Sequence, residues 1–497
     1  MQVEVVTGSI TEIVCDTLIV SIFEGVSLPG GAAGAVDTAL NGQIASLIRG
    51  KQGAGKYGSS AVLHICSGIG AKQVVLLGLG KQEEFTLDRL RGVAGTAIRA
   101  AQKLEARTVA TVIHGAGFDP QAAVQALVEG TLLGNYRFRR YKTEKDDVIV
   151  PEKLYIIAGD ADKVPPITVG ARRGQTIAAA VSLCRDLVNH PANYMTPARM
   201  AEQAAEIAGN RGLELEVLDE AKIAALGMKA FMAVAQGSHE PPRLIVMKYA
   251  GNPGSKNLLA LVGKGVTFDS GGISLKPSEG MHEMKDDMAG AAAVLGAMQA
   301  IAELGPPVNI LAVVPCTENL PSGYAFRPGD VIESLGGKTI EIISTDAEGR
   351  LILADAIAYA LRLGATHIVD LATLTGACVV ALGNVTSGVM ATDRDLCRRV
   401  MEASEGVGEK MWELPLFEEY KEQIKSDIAD LKNSGGRPAG AITAGLFIAS
   451  FTGGKPWVHI DIAGTVASDK ENGCNVKGAT GVGVRTLVNL AESLGSW

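Results

Sequence analysis

The sequence predicts an α/β protein of two domains, each a mixed or mainly parallel sheet flanked by helices, with the chemistry in the C-terminal domain. Three observations carry this. Apolar strand-like runs alternate with helical stretches along nearly all of the 497 residues, 60 glycines supply tight connections between them, and the polar, proline-containing stretch Gly159–Pro166 interrupts the alternation.

Composition narrows the class. Hydrophobic content of 47% with 20% charged residues is globular, and an aromatic share of 4% leaves the cores to Ala, Val, Leu and Ile. A net charge of −8 argues against a general binder of nucleic acid or anionic membrane. No apolar run reaches the length of a membrane span, and Met1–Val6 reads as a strand rather than a signal peptide, so a cytoplasmic location is expected. The seven cysteines are scattered and form no C-x-x-C pair, which suits reduced thiols.

Residues 1–160 form the first expected domain, with a role in assembly or regulation. Strands are expected at Val3–Val6, Thr17–Ile22, Ala61–Cys66, Val74–Leu77, Thr108–Ile113 and Leu154–Ile157, and helices at Leu87–Leu104 and Pro120–Leu133. Gly50–Tyr57 imitates a phosphate-binding loop, but Tyr57 stands where Ser or Thr is needed. A helix precedes it and a strand follows, the reverse of the required order, so a surface turn is expected. Tyr136–Lys142 interleaves Arg137, Arg139, Arg140 and Lys142 with aromatics, as single-strand nucleic-acid grooves do. Glu144, Asp146 and Asp147 follow at once, and a helix end with cations at the negative pole of its dipole is the more ordinary reading.

Residues 161–190 read as a linker and a bridging helix over Ile167–Val188, and residues 191–497 as the catalytic domain. There a helix is expected at Met200–Arg211, then strands at Leu213–Leu218, Leu244–Tyr249 and Leu258–Val262. A Gly/Ser/Pro-rich loop leads to a helix at Met288–Leu304, and strands return at Val308–Val314, His367–Leu371 and Trp457–Ile462.

Between a strand-like run, Thr339–Ile343, and a helical run, Leu351–Leu363, lies a segment with Asp346, Glu348 and Arg350 at every second position. Extended backbone would point all three to one side. Two converging carboxylates repel unless a cation lies between them, so a metal centre is one reading; a solvated turn with a helix-capping acid is the other. The loop after Leu258–Val262 carries Lys264, Asp269, Lys276, Asp286 and Asp287 with no apolar periodicity to place them in a core. Three or four carboxylates collected together suit two hard or borderline divalent ions. His282-Glu283 is not a zinc-protease helix, because Asp286 stands where the second His is needed.

Five segments, Val262–Pro277, Met284–Ala292, Thr345–Leu351, Asp370–Ala377 and His459–Gly464, resemble the leucyl (cytosol) aminopeptidase family, closely over most of residues 185–490 and loosely before that. The resemblance implies that Asp269 and Glu348 touch both of two divalent ions, Mn²⁺ or Zn²⁺, that Lys264 and Asp287 complete one, and that Asp346 completes the other. Lys264 can ligate only as the free amine. The implied reaction is hydrolysis of the N-terminal peptide bond of a substrate with a free α-amine, by a hydroxide bridging the two metals. Lys276 would stabilise the oxyanion, and Arg350 would hold a bicarbonate acting as general base. Two cations that merely neutralise an acidic loop are the alternative for Lys276 and Arg350. Met284, Thr373, Gly376 and Ala463 match the family's side-chain pocket and would suit Leu and other medium apolar residues; ordinary packing is their other reading. This chain departs from the family pattern at Ser344 (usually Asn), Ala289 (often Cys) and Val466 (a larger Met in some members). The family also implies a homohexamer. The competing class is a nucleic-acid-binding or scaffold protein with a vestigial peptidase site.

Overall fold

The structure is a computed structural model that describes residues 1–50, 53–115, 117–144 and 149–495. The chain divides into two compact units, Met1–Ala179 with Asp469–Lys477, and Ala180–Ser468 with Gly478–Trp497.

In the first unit, β1 (Gln2–Thr7), β2 (Cys15–Ile22), β3 (Ser60–His64), β4 (Ala71–Gly78), β5 (Thr108–Thr111) and β6 (Lys153–Gly159) form one sheet in the order β1-β6-β5-β2-β4-β3. Every neighbouring pair is parallel except β3 with β4. Successive side chains alternate between two cores, as a strand covered on both faces requires: Ile19, Val75 and Leu77 pack with Leu90, Ile98 and Leu127, whereas Leu18, Val20 and Leu76 pack with Val36 and Ile44. Thr86 and Asp119 cap the helices Leu87–Lys103 and Pro120–Gly134 by accepting from Arg89 and Ala122 N–H. The helices Gly31–Ala39 and Gln43–Gly50 complete the unit.

The phosphate-loop imitation falls where the helix Gln43–Gly50 ends and turns lead into β3; its Lys51 and Gln52 lie outside the described residues. The basic-aromatic stretch follows the end of the helix Pro120–Gly134; there Arg137 donates to Gln102 Oε1 at 3.0 Å, and Asp146 and Asp147 lie outside the described residues.

The second unit begins within the helix Val164–Asn189 and holds β7 (Glu214–Leu218), β8 (Arg243–Ala250), β9 (Leu259–Gly263), β10 (Gly265–Asp269), β11 (Asn309–Asn319), β12 (Val331–Glu333), β13 (Thr339–Glu341), β14 (His367–Ala372), β15 (Ser387–Ala391), β16 (Met411–Glu413), β17 (Leu431–Lys432) and β18 (Trp457–Asp461). Nine of these make a sheet in the order β16-β15-β18-β14-β9-β11-β8-β7, with β10 added on β11. The strands β18, β14, β9, β11 and β10 all run parallel, so their carboxyl ends share one edge. β9 is buried throughout, as a strand covered on both faces must be. The Ala/Gly-rich helix Ala289–Leu304 and the helix Gly349–Arg362 are buried over most of their lengths. Among the described residues no helix is long and apolar enough to cross a membrane.

Two local expectations fail. Gly265–Asp269, expected as loop, is a strand: its backbone finds partners on β11 from Cys316 to Asn319. The segment bearing Asp346 and Glu348 is not extended. A turn precedes Glu348, which has helical dihedrals (φ −80°, ψ −35°) and heads the helix Gly349–Arg362, placing Arg350 in its first turn. Moreover β13, just upstream, belongs to a small sheet with β12 and β17 and not to the large one. The Asp346–Glu348 segment therefore reaches the cluster from outside the main sheet.

Candidate metal centre

The shared carboxyl edge assembles the centre, as open α/β sheets generally do. Lys264 follows β9, Asp269 ends β10, Asn319 ends β11, Thr373 follows β14 and Asp461 ends β18. Lys264 is fixed from both sides: its N–H donates to Leu371 O at 3.0 Å, and its carbonyl accepts from Ala291 N–H at 2.8 Å. Its side chain passes the start of the helix Gly349–Arg362 so closely that a Cβ on Gly349 would lie 2.5 Å from Lys264 Cε, which explains a glycine there. Gly271, at φ +86°, turns the chain after β10 in a conformation that favours glycine and presents its carbonyl to Thr345 Oγ1 at 2.6 Å.

Lys264 Nζ lies 2.6 Å from Asp287 Oδ1, 2.9 Å from Glu348 Oε1 and 3.1 Å from Thr373 O. Lys276 Nζ lies 2.8 Å from Asp269 Oδ2 and also pairs with Asp346. Carboxylate oxygens of Asp269, Asp346 and Glu348 come within 4.8 Å of one another. The lysine, Asp269, Asp287 and Glu348 are buried, whereas the Asp346 side chain is 39% exposed and opens the cluster to solvent.

Charge and burial act against each other here. Burial pushes the carboxyls of Asp287, Glu348 and Asp346 above their ordinary range, and crowding by neighbouring carboxylates adds to it. Burial would lower both lysines, but Asp287, Glu348 and Asp269 hold Lys264 above the usual ammonium range, and Asp269, Glu348 and Asp346 do the same for Lys276. Four carboxyl groups thus face two ammonium groups in a largely buried site that opens to solvent at Asp346. Asp287 Oδ2 and Glu348 Oε2 are buried without a hydrogen-bond partner among the described residues. Uncompensated anionic oxygens of this kind fit divalent cations.

Arg350 is held differently. Its Nη1 donates to Asn433 O at 2.7 Å, and its Nε is buried without a partner among the described residues. Burial lowers its pKa to about 10, against the opposing pull of Glu348, Asp461 and Asp346, so it is a cation at neutral pH.

Of the expected pocket residues, Thr373 turns its hydroxyl to Asp287 Oδ1 at 2.7 Å. Gly376 begins the helix Gly376–Leu382 and has open space where a Cβ would stand. Ala463 N–H donates to Asp461 Oδ1 at 3.1 Å, and Met284 is half-buried in the short helix Met281–Asp286. Ser344 Oγ accepts from Asp346 N–H at 3.3 Å, so it supports the acidic turn from within.

Four residues that sequence reasoning missed organise this set. Asn319 Nδ2 donates to both Asp269 Oδ1 (2.8 Å) and Thr345 O (3.0 Å). Thr345 Oγ1 also accepts from Ser274 N–H at 2.8 Å. Asp461 accepts from Leu374 N–H, Ala463 N–H and Thr375 Oγ1, tying the ends of β14 and β18 together. Asn433 binds the acidic turn. A signal existed for Asp461, since His459 and Asp461 put polar groups on alternate positions of an otherwise apolar strand.

A mixed sheet whose parallel strands bring Lys264 and Asp269 to their carboxyl ends, where further carboxylates converge, has the form of an α/β protein with a metal centre. The chain belongs to the cytosol aminopeptidase family and is a hydrolase of the leucyl aminopeptidase type: residues 182–488 match the family's catalytic domain and residues 19–145 its N-terminal domain. It is 48% identical to the probable cytosol aminopeptidase of Alkaliphilus metalliredigens, over 99% of this chain and all of that one, and 45% identical to that of Geobacter sulfurreducens over 99% of both. Among solved structures, a tomato leucine aminopeptidase mutant superposes with a TM-score of 0.88 at 35% identity, covering 99% of this chain and 96% of that one. The bottromycin maturation enzyme BotP in complex with Mn gives 0.85 at 35% identity, covering 97% and 99%.

Proposed function

We propose that this protein removes N-terminal residues, Leu and other medium apolar ones, from peptides with a free α-amine, using two divalent ions per chain. The observation that carries this reading is the convergence of Asp269, Asp346 and Glu348 beside Lys264 and Asp287, with two buried carboxylate oxygens lacking any partner among the described residues. Asp269 and Glu348 would touch both ions, Lys264 and Asp287 one, and Asp346 the other. When bound, Mn²⁺ or Zn²⁺ would supply Lewis acidity at the scissile carbonyl and an acidified water as nucleophile.

The chain's own groups set the rest. Lys276 keeps its proton beside Asp269, Glu348 and Asp346, and would be the donor that meets negative charge developing on the carbonyl oxygen. Arg350, buried and with Nε free of partners among the described residues, suits a small oxyanion such as bicarbonate, which would take the proton from the attacking water. The open space at Gly376, with Met284, Thr373 and Ala463, would receive the N-terminal side chain. A cytoplasmic homohexamer belongs to the same reading, and exposed apolar side chains such as Trp412, Phe417 and Ile428 give the second unit surface that association would cover.

The test is hydrolysis of leucine anilide by the purified protein with and without added Mn²⁺ or Zn²⁺, beside an Asp346→Ala/Glu348→Ala double variant. Metal-dependent release by the wild type alone is expected; no release of any unblocked N-terminal residue from a metal-loaded protein overturns the reading.

A further inference from the structure

Asn433 uses the whole hydrogen-bonding capacity of its carboxamide on the segment that carries Asp346 and Glu348. Its Oδ1 accepts from the N–H groups of Ile343 (2.8 Å) and Ser344 (3.3 Å), and its Nδ2 donates to the carbonyls of Ser344 (2.6 Å) and Ala347 (3.3 Å). Its own N–H donates to Glu341 O at 2.9 Å, and its carbonyl takes Arg350 Nη1 at 2.7 Å. The side chain is fully buried. One residue, far along the chain, thereby holds the acidic turn and the guanidinium together.

The two halves of the centre differ in what holds them. Lys264 is fixed by the sheet through Leu371 and by the helix Ala289–Leu304 through Ala291, and Asp287 lies next to that helix. Asp346 lies in a turn outside the main sheet, and the backbone groups on either side of it are bound by Asn433 in place of a strand ladder. Because a carboxylate on an irregular segment is located only as well as the segment is, the Asp346 half depends on side chains, Asn433 with four bonds foremost, where the Lys264–Asp287 half depends on regular structure.

We infer that Asn433 is a positioning residue that sets the turn bearing Asp346 and the Arg350 guanidinium, and so controls the affinity of the ion position Asp346 completes more strongly than that of the Lys264–Asp287 position, which Asp346 does not touch. This rests on the two-ion aminopeptidase reading. Partners that orient ligands in this way are worth about 10–100-fold in ion affinity or activity. Asn433→Ala removes all four carboxamide bonds. Asn433→Asp, nearly the same shape, keeps the acceptor toward Ile343 and Ser344 but sets a carboxylate oxygen against the Ser344 and Ala347 carbonyls.

The experiment is a Mn²⁺ titration of the full-length protein and both variants, following free Mn²⁺ by electron paramagnetic resonance, with thermal unfolding and leucine-anilide kinetics in parallel. Expected are two binding steps in the wild type, with one weakened about 10–100-fold in each variant and the other, which shares Glu348, weakened clearly less. In both variants kcat should fall with KM nearly unchanged. If Asn433→Ala does not fold, the Asn433→Asp protein gives the same readout. Both steps weakening equally, neither step changing, or a wild type binding fewer than two ions overturns the inference. An inactive wild type whose two steps still separate on Asn433 substitution would sink the aminopeptidase reading and leave the positioning role standing; an active wild type with unaffected variants would do the reverse.

Discussion

Lys264 Nζ and Asp287 Oδ1 stand 2.6 Å apart although 23 residues separate them in sequence, and the ammonium is shared with Glu348. Surrounding carboxylates hold the proton on Lys264, yet only the free amine can ligate an ion. Ion uptake should therefore release about one proton more from the wild type than from Lys264→Met, and affinity should rise with pH as proton competition weakens. Calorimetric titration with Mn²⁺ in buffers of different ionisation enthalpy measures this. Equal proton release by both proteins would remove Lys264 from the ligand set.

Asp287 Oδ2 and Glu348 Oε2, buried without partners among the described residues, mean that added ions should stabilise the protein. Mn²⁺ at a hundredfold excess over its Kd should add about 2.7 kcal/mol for each ion bound, and EDTA should remove it. Glu348→Gln, which takes one charge from the crowded site, should match or exceed the wild type without metal and lose most of the ion-dependent gain. Thermal unfolding with and without Mn²⁺ checks both.

Lys276→Met should lower kcat/KM by about 10²–10³-fold, the usual loss for an oxyanion donor. Ion stoichiometry should persist, since Lys276 is not a ligand in this reading. Loss of an ion along with activity would make the ammonium a structural counter-charge instead.

Gly349→Ala separates site geometry from stability. The new methyl would meet Lys264 Cε at 2.5 Å, and a flexible lysine end can swing aside. Helix propensity near this position favours Ala by up to about 1 kcal/mol, so unfolding should shift little while Mn²⁺ affinity drops at least about tenfold. A variant binding ions like the wild type would show that Lys264 can ligate from a different path.

His114, in the first unit, is buried between Ser21 Oγ and Thr111 Oγ1, each 3.0 Å from a ring nitrogen, and burial holds its pKa down to about 4 from 6.5. Its contribution is complete above about pH 6.5. Below that the unfolded chain takes up a proton the folded one refuses, so stability falls towards pH 4, by on the order of 3 kcal/mol in total. His114→Gln should flatten that part of the pH–stability curve, read by denaturant unfolding between pH 4 and 7.

What could be read from the sequence follows from which forces act locally. Strands such as β2 and β4 alternate two apolar sets along their length, and the helix at Leu87 announces itself with a Thr cap, so both appear in the pattern. β10 does not: its short run opens with Gly265 and its pairing with β11 is a tertiary fact. Charged residues without periodicity point to an acidic cluster that includes Asp286 and Lys276, whereas the narrower set Lys264, Asp269, Asp287, Asp346 and Glu348 follows only from the family resemblance. The alternation at Asp346, Glu348 and Arg350 suggested extended backbone, but the following apolar run carries its helix back to Glu348. Asn433, in Asn-Ser-Gly-Gly, looks like any turn asparagine, since its partners lie some 83 to 90 residues away.

The first unit also contains Asp469–Lys477, whose Glu471 pairs with Arg99 at 3.5 Å and whose Gly473 packs so tightly that a Cβ on Gly95 would meet its carbonyl at 2.4 Å. The two units are consequently not beads that one cut can separate. A chimera joining the first half of this chain to the second half of a distant relative would inherit this strip from the wrong parent, so recombination within the family has to exchange two stretches of gene at once or repair a broken seam.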